Sequence, residues 1–365
     1  MQFTATRENL LVALNAVLRA VPSRSPLEIA TCVLVRAEGS GLKLTGTDLE
    51  MMIRCRVPAL EVYREGEAVV PARHLSEIVR RVPEGKVEVE GSGRGLTLTY
   101  PGGEMKLSGF APEEFPSFTA EDEAGEGFAL GASLRAALRS VLYAAGRDDL
   151  RPIFTGVQFE LQNGTLTVAA TDAHRLAVFE MATDTAASCL GIVPAKALRE
   201  VERSLGQAEE QVSVTFGPTQ AAFSVNDLEI YTRLIEGRFP EWRQAVPQDP
   251  PRTLIRGEIG AIVSAVERAQ VLAHGDTPSV LLKASGTSLV VLSQSDMGEF
   301  RETVTVDFDG EEVEIAFNAN YLLDALRATA GDLVEIGLNG NIGPAVIRGP
   351  GHPGYLALVL PLRLF

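Results

Sequence analysis

The chain has 365 residues, 45% hydrophobic and 22% charged, which is ordinary for folded protein and excludes disordered and fibrous classes. Its length exceeds what one hydrophobic core usually serves, so two or three domains are expected. With 33 Lys+Arg against 48 Asp+Glu the net charge is −15, which argues against a surface that is cationic all over but not against one cationic face.

In chain order, Leu10, Leu14, Val17, Leu18 and Val21 fall on one helical stripe, predicting a helix over 7–20. The segment 44–50, Leu-Thr-Gly-Thr-Asp-Leu-Glu, reads as a strand running into a polar turn. Val69-Val70-Pro71-Ala72-Arg73 opens a second helix over 71–83, whose apolar stripe is Leu75, Ile78, Val79 and Val82. Gly91-Ser92-Gly93-Arg94-Gly95 lies between alternating segments and reads as a hairpin turn.

These landmarks return. The turn aspartates are Asp48, Asp172 and Asp296, spaced 124 and 124. The helix openings are at Pro71, Pro194 and Asn318, and Phe115-Pro116 returns as Phe239-Pro240. Three landmarks at one period predict three domains, 1–122, 126–247 and 251–365, joined through polar stretches at 121–123 and 247–251. Each is α+β, with two helices and short antiparallel strands. The other helices are expected over 131–147, 194–206, 257–270 and 318–330.

Charge is uneven across this plan. The six helices together carry about +6, leaving about −21 elsewhere. In the fourth helix Lys196, Arg199 and Arg203 stand opposite Leu198, Val201 and Leu205. Such a face suits phosphate contact without base reading; a solvated helix face is the plainer alternative.

Catalytic signatures do not emerge. The four histidines (His74, His174, His274, His352) have no HExxH or CxxC neighbours, and neither a P-loop nor a GxSxG elbow occurs, so no catalytic residue, metal or cofactor is expected. The repeated aspartates read as turn residues. A carboxylate-dependent nuclease using Asp48 and Asp172 is the weakest alternative. Three cysteines without CxxC spacing, no apolar run long enough to cross a membrane and no basic-then-apolar start at Met1-Gln2-Phe3-Thr4 point to the cytoplasm.

Three repeats of this size, with Thr171-Asp172-Ala173-His174-Arg175-Leu176, Glu236-Gly237-Arg238-Phe239-Pro240-Glu241-Trp242 and Leu360-Pro361-Leu362-Arg363-Leu364, resemble the bacterial DNA polymerase III beta subunit, the sliding clamps. The resemblance covers the whole chain. It implies a head-to-tail homodimeric ring of clamp domains, helices inside and sheets outside, that encircles duplex DNA without sequence preference and tethers the replicative polymerase without catalysing anything itself. It implies DNA contact by Arg24, Arg80, Arg151 and Lys196; the helical pattern adds Arg73, Arg135, Arg139, Arg147, Arg199 and Arg203. It also implies a partner-peptide pocket lined by Phe154, Thr171, His174, Arg175, Leu176 and Pro240, together with Leu358, Val359, Leu360, Pro361, Leu362 and Arg363. A ring interface would set Met105 and Leu107 against Val271 and Leu272, with ion pairs from Glu299, Arg301 and Glu302. The implied partners are the polymerase III catalytic subunit, the clamp loader, other polymerases, ligase and mismatch-repair proteins, with no membrane. A ring that recruits partners without serving a polymerase is the runner-up. Ala173, Gln244, Ala245 and Phe365 depart from the family pattern, which leaves the peptide preference open.

Overall fold

The computed structural model describes residues 1–116, 126–131, 133–206, 211–273 and 278–363. The acidic stretch 121–123, His274 and Phe365 therefore lie outside the described residues.

Six α-helices are present among the described residues: α1 (Arg7–Val17), α2 (Ala72–Arg81), α3 (Ser133–Val141), α4 (Ala195–Ser204), α5 (Ile259–Leu272) and α6 (Ala319–Ala328). Each repeat contains two of them, as the periodicity predicts. Their ends follow local chemistry. Thr6 caps α1, its hydroxyl accepting the Asn9 N–H at 3.1 Å. α2 stops because Val82 precedes Pro83, which disfavours helical backbone, and Val82 has ψ 151°. Pro71 and Pro194 are not inside the first turn, as the sequence pattern implies, but end the strands Gly66–Pro71 and Cys189–Pro194 one residue earlier.

Strand pairing among the described residues is antiparallel throughout. The repeat is visible in element positions: strands Cys32–Glu38, Gly41–Thr47 and Met51–Pro58 match Gly156–Gln162, Thr165–Thr171 and Arg175–Ala182 at an offset of 124. The glycine-rich segment 91–95 is the expected hairpin turn, with Ser92 N–H donating to the Gly95 carbonyl and Gly91 opposite Leu96.

The chain packs as two compact units that cut across the repeats. One comprises 1–132 and 196–234, the other 133–195 and 235–365. Sheet continuity explains the cut. In the first unit an eight-stranded sheet joins repeats one and two, where Ile230 sits opposite Ile53 in strands Leu228–Arg233 and Met51–Pro58. In the second a nine-stranded sheet joins repeats two and three, with Ala177 opposite Ala357 in strands Arg175–Ala182 and His352–Val359. A side chain could not be added at Gly354 on this seam, since a Cβ there would lie 2.1 Å from the Glu180 carbonyl oxygen.

The helices lay their apolar stripes on these sheets. Leu10, Leu14 and Val17 of α1, Leu75 and Val79 of α2, and Leu322, Leu323 and Leu326 of α6 are buried. Each such side chain contributes about 1.5–3 kcal/mol by leaving water. Phe3, Phe159, Phe223, Phe317 and Tyr355 are the largest fully buried side chains.

Candidate functional site

The second unit carries an apolar cluster of Ala169, Leu176, Val178, Ile192, Phe239, Trp242, Leu356 and Leu358, against which Ile153, Ile235, Val246 and Val346 pack. It forms because alternate residues of three neighbouring strands face the turn that begins at Phe239-Pro240. Trp242, the chain's single tryptophan, is held by its indole N–H, which donates to Gln158 Oε1 at 3.0 Å. A cavity of ≈ 440 Å³ opens beside the cluster, with Val178, Trp242, Val246 and Leu356 in its wall and Glu180, Arg243 and Arg348 supplying charge.

At one end of the cluster lies the turn between strands Thr165–Thr171 and Arg175–Ala182. Asp172 Oδ1 accepts the N–H groups of His174 (2.9 Å) and Arg175 (3.0 Å), and Thr171 Oγ1 donates to the Arg175 carbonyl at 2.6 Å. Ala173 is forced to φ +77°, a left-handed backbone that favours glycine. The same turn stands in repeat one, where Asp48 Oδ1 accepts from Glu50 and Met51 and Leu49 has φ +79°. In repeat three Ser295 Oγ takes the turn N–H, from Met297, and the positive φ moves to Gly298. The aspartates of repeats one and two are thus turn residues, and their second oxygens are engaged as well, Asp48 with Lys196 and Asp172 with Arg175.

The last strand runs beside this turn. Leu360 N–H donates to the His174 carbonyl at 3.0 Å, and Leu362 N–H to the Ala316 carbonyl at 2.8 Å. His174 and Arg363 are exposed, Leu360 is 44% exposed, and Phe154, Pro240, Pro361 and Leu362 are half-buried. Thr171, Leu176, Leu358 and Val359 are buried, so the first shapes the turn, Leu176 and Leu358 back the surface, and Val359 at 0% exposure belongs to the core. Arg175 is held from several sides: its side chain is 12% exposed, its guanidinium binds Asp172 at 3.0 Å and Asp324 at 2.6 Å, and it lies over the rings of Tyr321 and Tyr143. Gln244 and Ala245 are exposed on the turn that follows Trp242.

Residues that sequence reasoning passed over complete this clasp. Tyr143 shares a hydrogen bond with Tyr355 at 2.8 Å, and Tyr355 donates to the Ala325 carbonyl at 2.9 Å. Burial pushes both phenols well above their usual range, so they remain neutral donors. The spacing of Tyr321 and Asp324, three apart on α6, was the available signal that both meet one partner.

The expected basic faces are less free than their sequence suggests. α3 ends at Val141, so Arg147 lies in a loop, and the next strand begins at Gly156 after a 3₁₀ turn. Arg80 pairs with Glu77 at 3.3 Å, Arg203 with Glu200 at 2.8 Å, Arg151 with Asp148 at 3.1 Å, and Lys196 with Asp48. Hydrogen bonds from the Leu150 N–H and from Arg151 hold the Asp148 carboxyl below its usual range. Arg135 and Arg199 are half-buried, whereas Arg139 is exposed. Arg24, Arg73 and Arg147 are exposed and make no ion pair among the described residues. In repeat three the helix cations are neutralised, Arg268 by a two-pronged contact with Glu302 and Arg327 by Glu267 at 2.6 Å. Glu302 is thereby committed within its own chain rather than free for a neighbour, while Glu299 and Arg301 are exposed.

Strands Gly103–Ser108 and Gly298–Thr305 are each the last strand of their sheet. Met105 is 36% and Val271 71% exposed, while Leu107 and Leu272 are half-buried. Cys32 and Cys55 are buried thiols, Cys55 pushed up to about 11 by burial, and among the described residues no His, Cys, Asp and Glu set of three or more is gathered as metal ligands would be. No helix is long and apolar enough to cross a membrane.

Three family models match: the N-terminal domain of the DNA polymerase III beta subunit over 1–119, its central domain over 131–241 and its C-terminal domain over 243–363. The beta sliding clamp of Bacillus subtilis is 30% identical over 379 residues, covering 100% of both chains. Among solved structures, a Bacillus subtilis DNA polymerase sliding clamp is 29% identical with TM-score 0.93, and a Pseudomonas aeruginosa sliding clamp bound to griselimycin is 28% identical with TM-score 0.94, each over 100% of both chains.

Proposed function

The chain belongs to the DNA polymerase III beta subunit family, the beta sliding clamps, and from that membership we propose the assembly, surfaces and partners through which it works. A clamp of this family is a processivity factor with three clamp domains and is not an enzyme. Two copies close head-to-tail into a ring around duplex DNA, with domains at 1–122, 126–247 and 251–365. Strands Gly103–Ser108 and Gly298–Thr305, each with one edge unpaired among the described residues, support this closure, because an exposed edge is an aggregation liability unless a partner covers it. Met105 and Leu107 of one copy would meet Val271 and Leu272 of the other, joined by Glu299 and Arg301.

DNA is held by topology, so contacts need only be loose. Arg24, Arg73 and Arg147 provide the unneutralised charge, Arg80, Arg151, Lys196 and Arg203 supply a background already partly balanced by acids, and Arg135, Arg139 and Arg199 add to the same helix faces. Such a surface attracts phosphates without locking onto them. The acidic remainder of the chain discourages DNA from binding elsewhere.

Partner peptides dock on the surface around Phe154, His174, Pro240, Leu360, Pro361, Leu362 and Arg363, with Leu176 and Leu358 beneath. The observation that carries this reading is an exposed Leu360 pinned to the His174 carbonyl over an apolar cluster: an apolar anchor site with polar groups fixed beside it. The partners are the polymerase III catalytic subunit, the clamp loader, other polymerases, ligase and mismatch-repair proteins, met in the cytoplasm, where buried free thiols stay reduced. Deleting residues 362–365 tests the site. Polymerase-peptide binding should disappear while the native mass stays that of a dimer; unchanged peptide affinity would refute the assignment.

A further inference from the structure

The first unit contains a second cavity, ≈ 330 Å³, whose lining includes Leu34, Arg36, Lys43, Met52, Arg54 and Phe115. Its position is that of the apolar cluster one period earlier. Met52, Arg54 and Phe115 precede Leu176, Val178 and Phe239 by 124 residues, and strands Cys32–Glu38, Gly41–Thr47 and Met51–Pro58 precede their counterparts by the same number.

Its chemistry is different. Strand register puts Glu67 opposite Arg36, Arg36 opposite Lys43 and Lys43 opposite Arg56, so three cations stand side by side on adjacent strands. Like charges directly opposite destabilise a sheet unless an anion separates them. Among the described residues three acids serve the outer members, Glu38 reaching Arg36 at 3.9 Å. Glu67 binds Arg36, and Glu229 binds Arg56 at 2.7 Å and Arg54 at 3.1 Å. Lys43, in the middle, makes no ion pair among the described residues and is half-buried. Burial lowers its ammonium's pKa, Arg54 and Arg56 push the same way, and the carboxylates of Glu229 and Glu38 oppose them in part. In repeat two the positions of Arg36, Lys43 and Arg56 hold Glu160, Thr167 and Glu180, so the cation row is particular to repeat one.

We propose that this cavity is a second peptide-docking site, where Lys43 takes a carboxylate of an acidic partner segment and Leu34, Met52 and Phe115 receive the apolar side chain next to it. An anion at Lys43 would complete the alternation of charge that Glu67 and Glu229 begin. The apolar walls distinguish a peptide from a free anion, which would leave them wet.

Met52 supplies the reporter. The full chain carrying ¹³C-methyl methionine is titrated with the pentapeptide amide Gly-Asp-Phe-Asp-Gly, with its Asn-for-Asp counterpart and with inorganic phosphate. The acidic peptide should shift the Met52 methyl signal saturably, about tenfold more tightly than the neutral peptide and about tenfold more tightly than it does in Lys43→Met or Lys43→Gln, with Lys43→Arg near wild type. Both neutral variants are checked for an unchanged melting curve, and agreement between them separates lost charge from lost fold. A Met52 signal that stays still at millimolar peptide, that responds alike to both peptides, or that is unaffected by the Lys43 variants overturns the proposal. So does a shift confined to Met181 in repeat two, or phosphate acting as strongly as the peptide.

Discussion

Repeats one and two place the same strands and the same Phe-Pro corner at a fixed offset, yet they use the surface in opposite ways. In repeat two the floor is Leu176 and Val178 beside Phe239 and Trp242; in repeat one it is Met52, Arg54 and Lys43 beside Phe115. The backbone plan is therefore separable from the chemistry it presents. A repeat can be duplicated for its fold and then diverge at the positions that line this corner, provided that each new set of side chains still packs against the strands it faces.

Core size is where the comparison should show most strongly. Among the described residues, Phe239 sits in a cluster of eight buried residues and Phe115 in one of four, with Ile29, Cys32 and Val69. Phe239→Ala should cost about 3–5 kcal/mol in urea unfolding, and Phe115→Ala clearly less, because fewer atoms surround the hole it leaves. Equal losses would mean that the two corners are packed alike.

An intermediate effect separates free from balanced cations. Arg73→Gln should lower the slope of log affinity against log salt for DNA by about one, while Lys196→Gln should lower it by less, since Asp48 already neutralises that ammonium. If both change the slope equally, the Lys196–Asp48 pair opens on DNA and the distinction is lost.

The smallest effect belongs to the shared turn. Leu49 and Ala173 both occupy left-handed backbone, so Leu49→Gly and Ala173→Gly should each stabilise by about 0.5 kcal/mol, the relief of strain slightly exceeding glycine's entropy in the unfolded chain. Thermal melting of the two variants would show whether the turns are equivalent.

Much of this plan was legible in the amino acids. Period, helix stripes, the Asp turns and the Phe-Pro corners are local patterns, and each survives in the fold because burial enforces it. What was hidden depends on residues distant in sequence. Lys196 and Asp48 are 148 apart, Arg175 and Asp324 149 apart, so neither pair leaves a spacing signal. The row of Arg36, Lys43 and Arg56 required strand register. Likewise, the packing units cut through repeat two because its strands hydrogen-bond to both neighbours, which a sequence period cannot reveal. Helix ends shifted by several residues, removing Arg147 from α3, because the stripe alone does not show where a helix gives way to 3₁₀ structure.

Enclosure of DNA by two copies can be tested directly. The chain is loaded onto a primed closed circle with the clamp loader, the circle is cut once, and retention is followed before and after. Stable retention is expected on the closed circle and rapid loss on the linear product. Retention that survives linearisation would contradict it and place the binding in surface contacts instead.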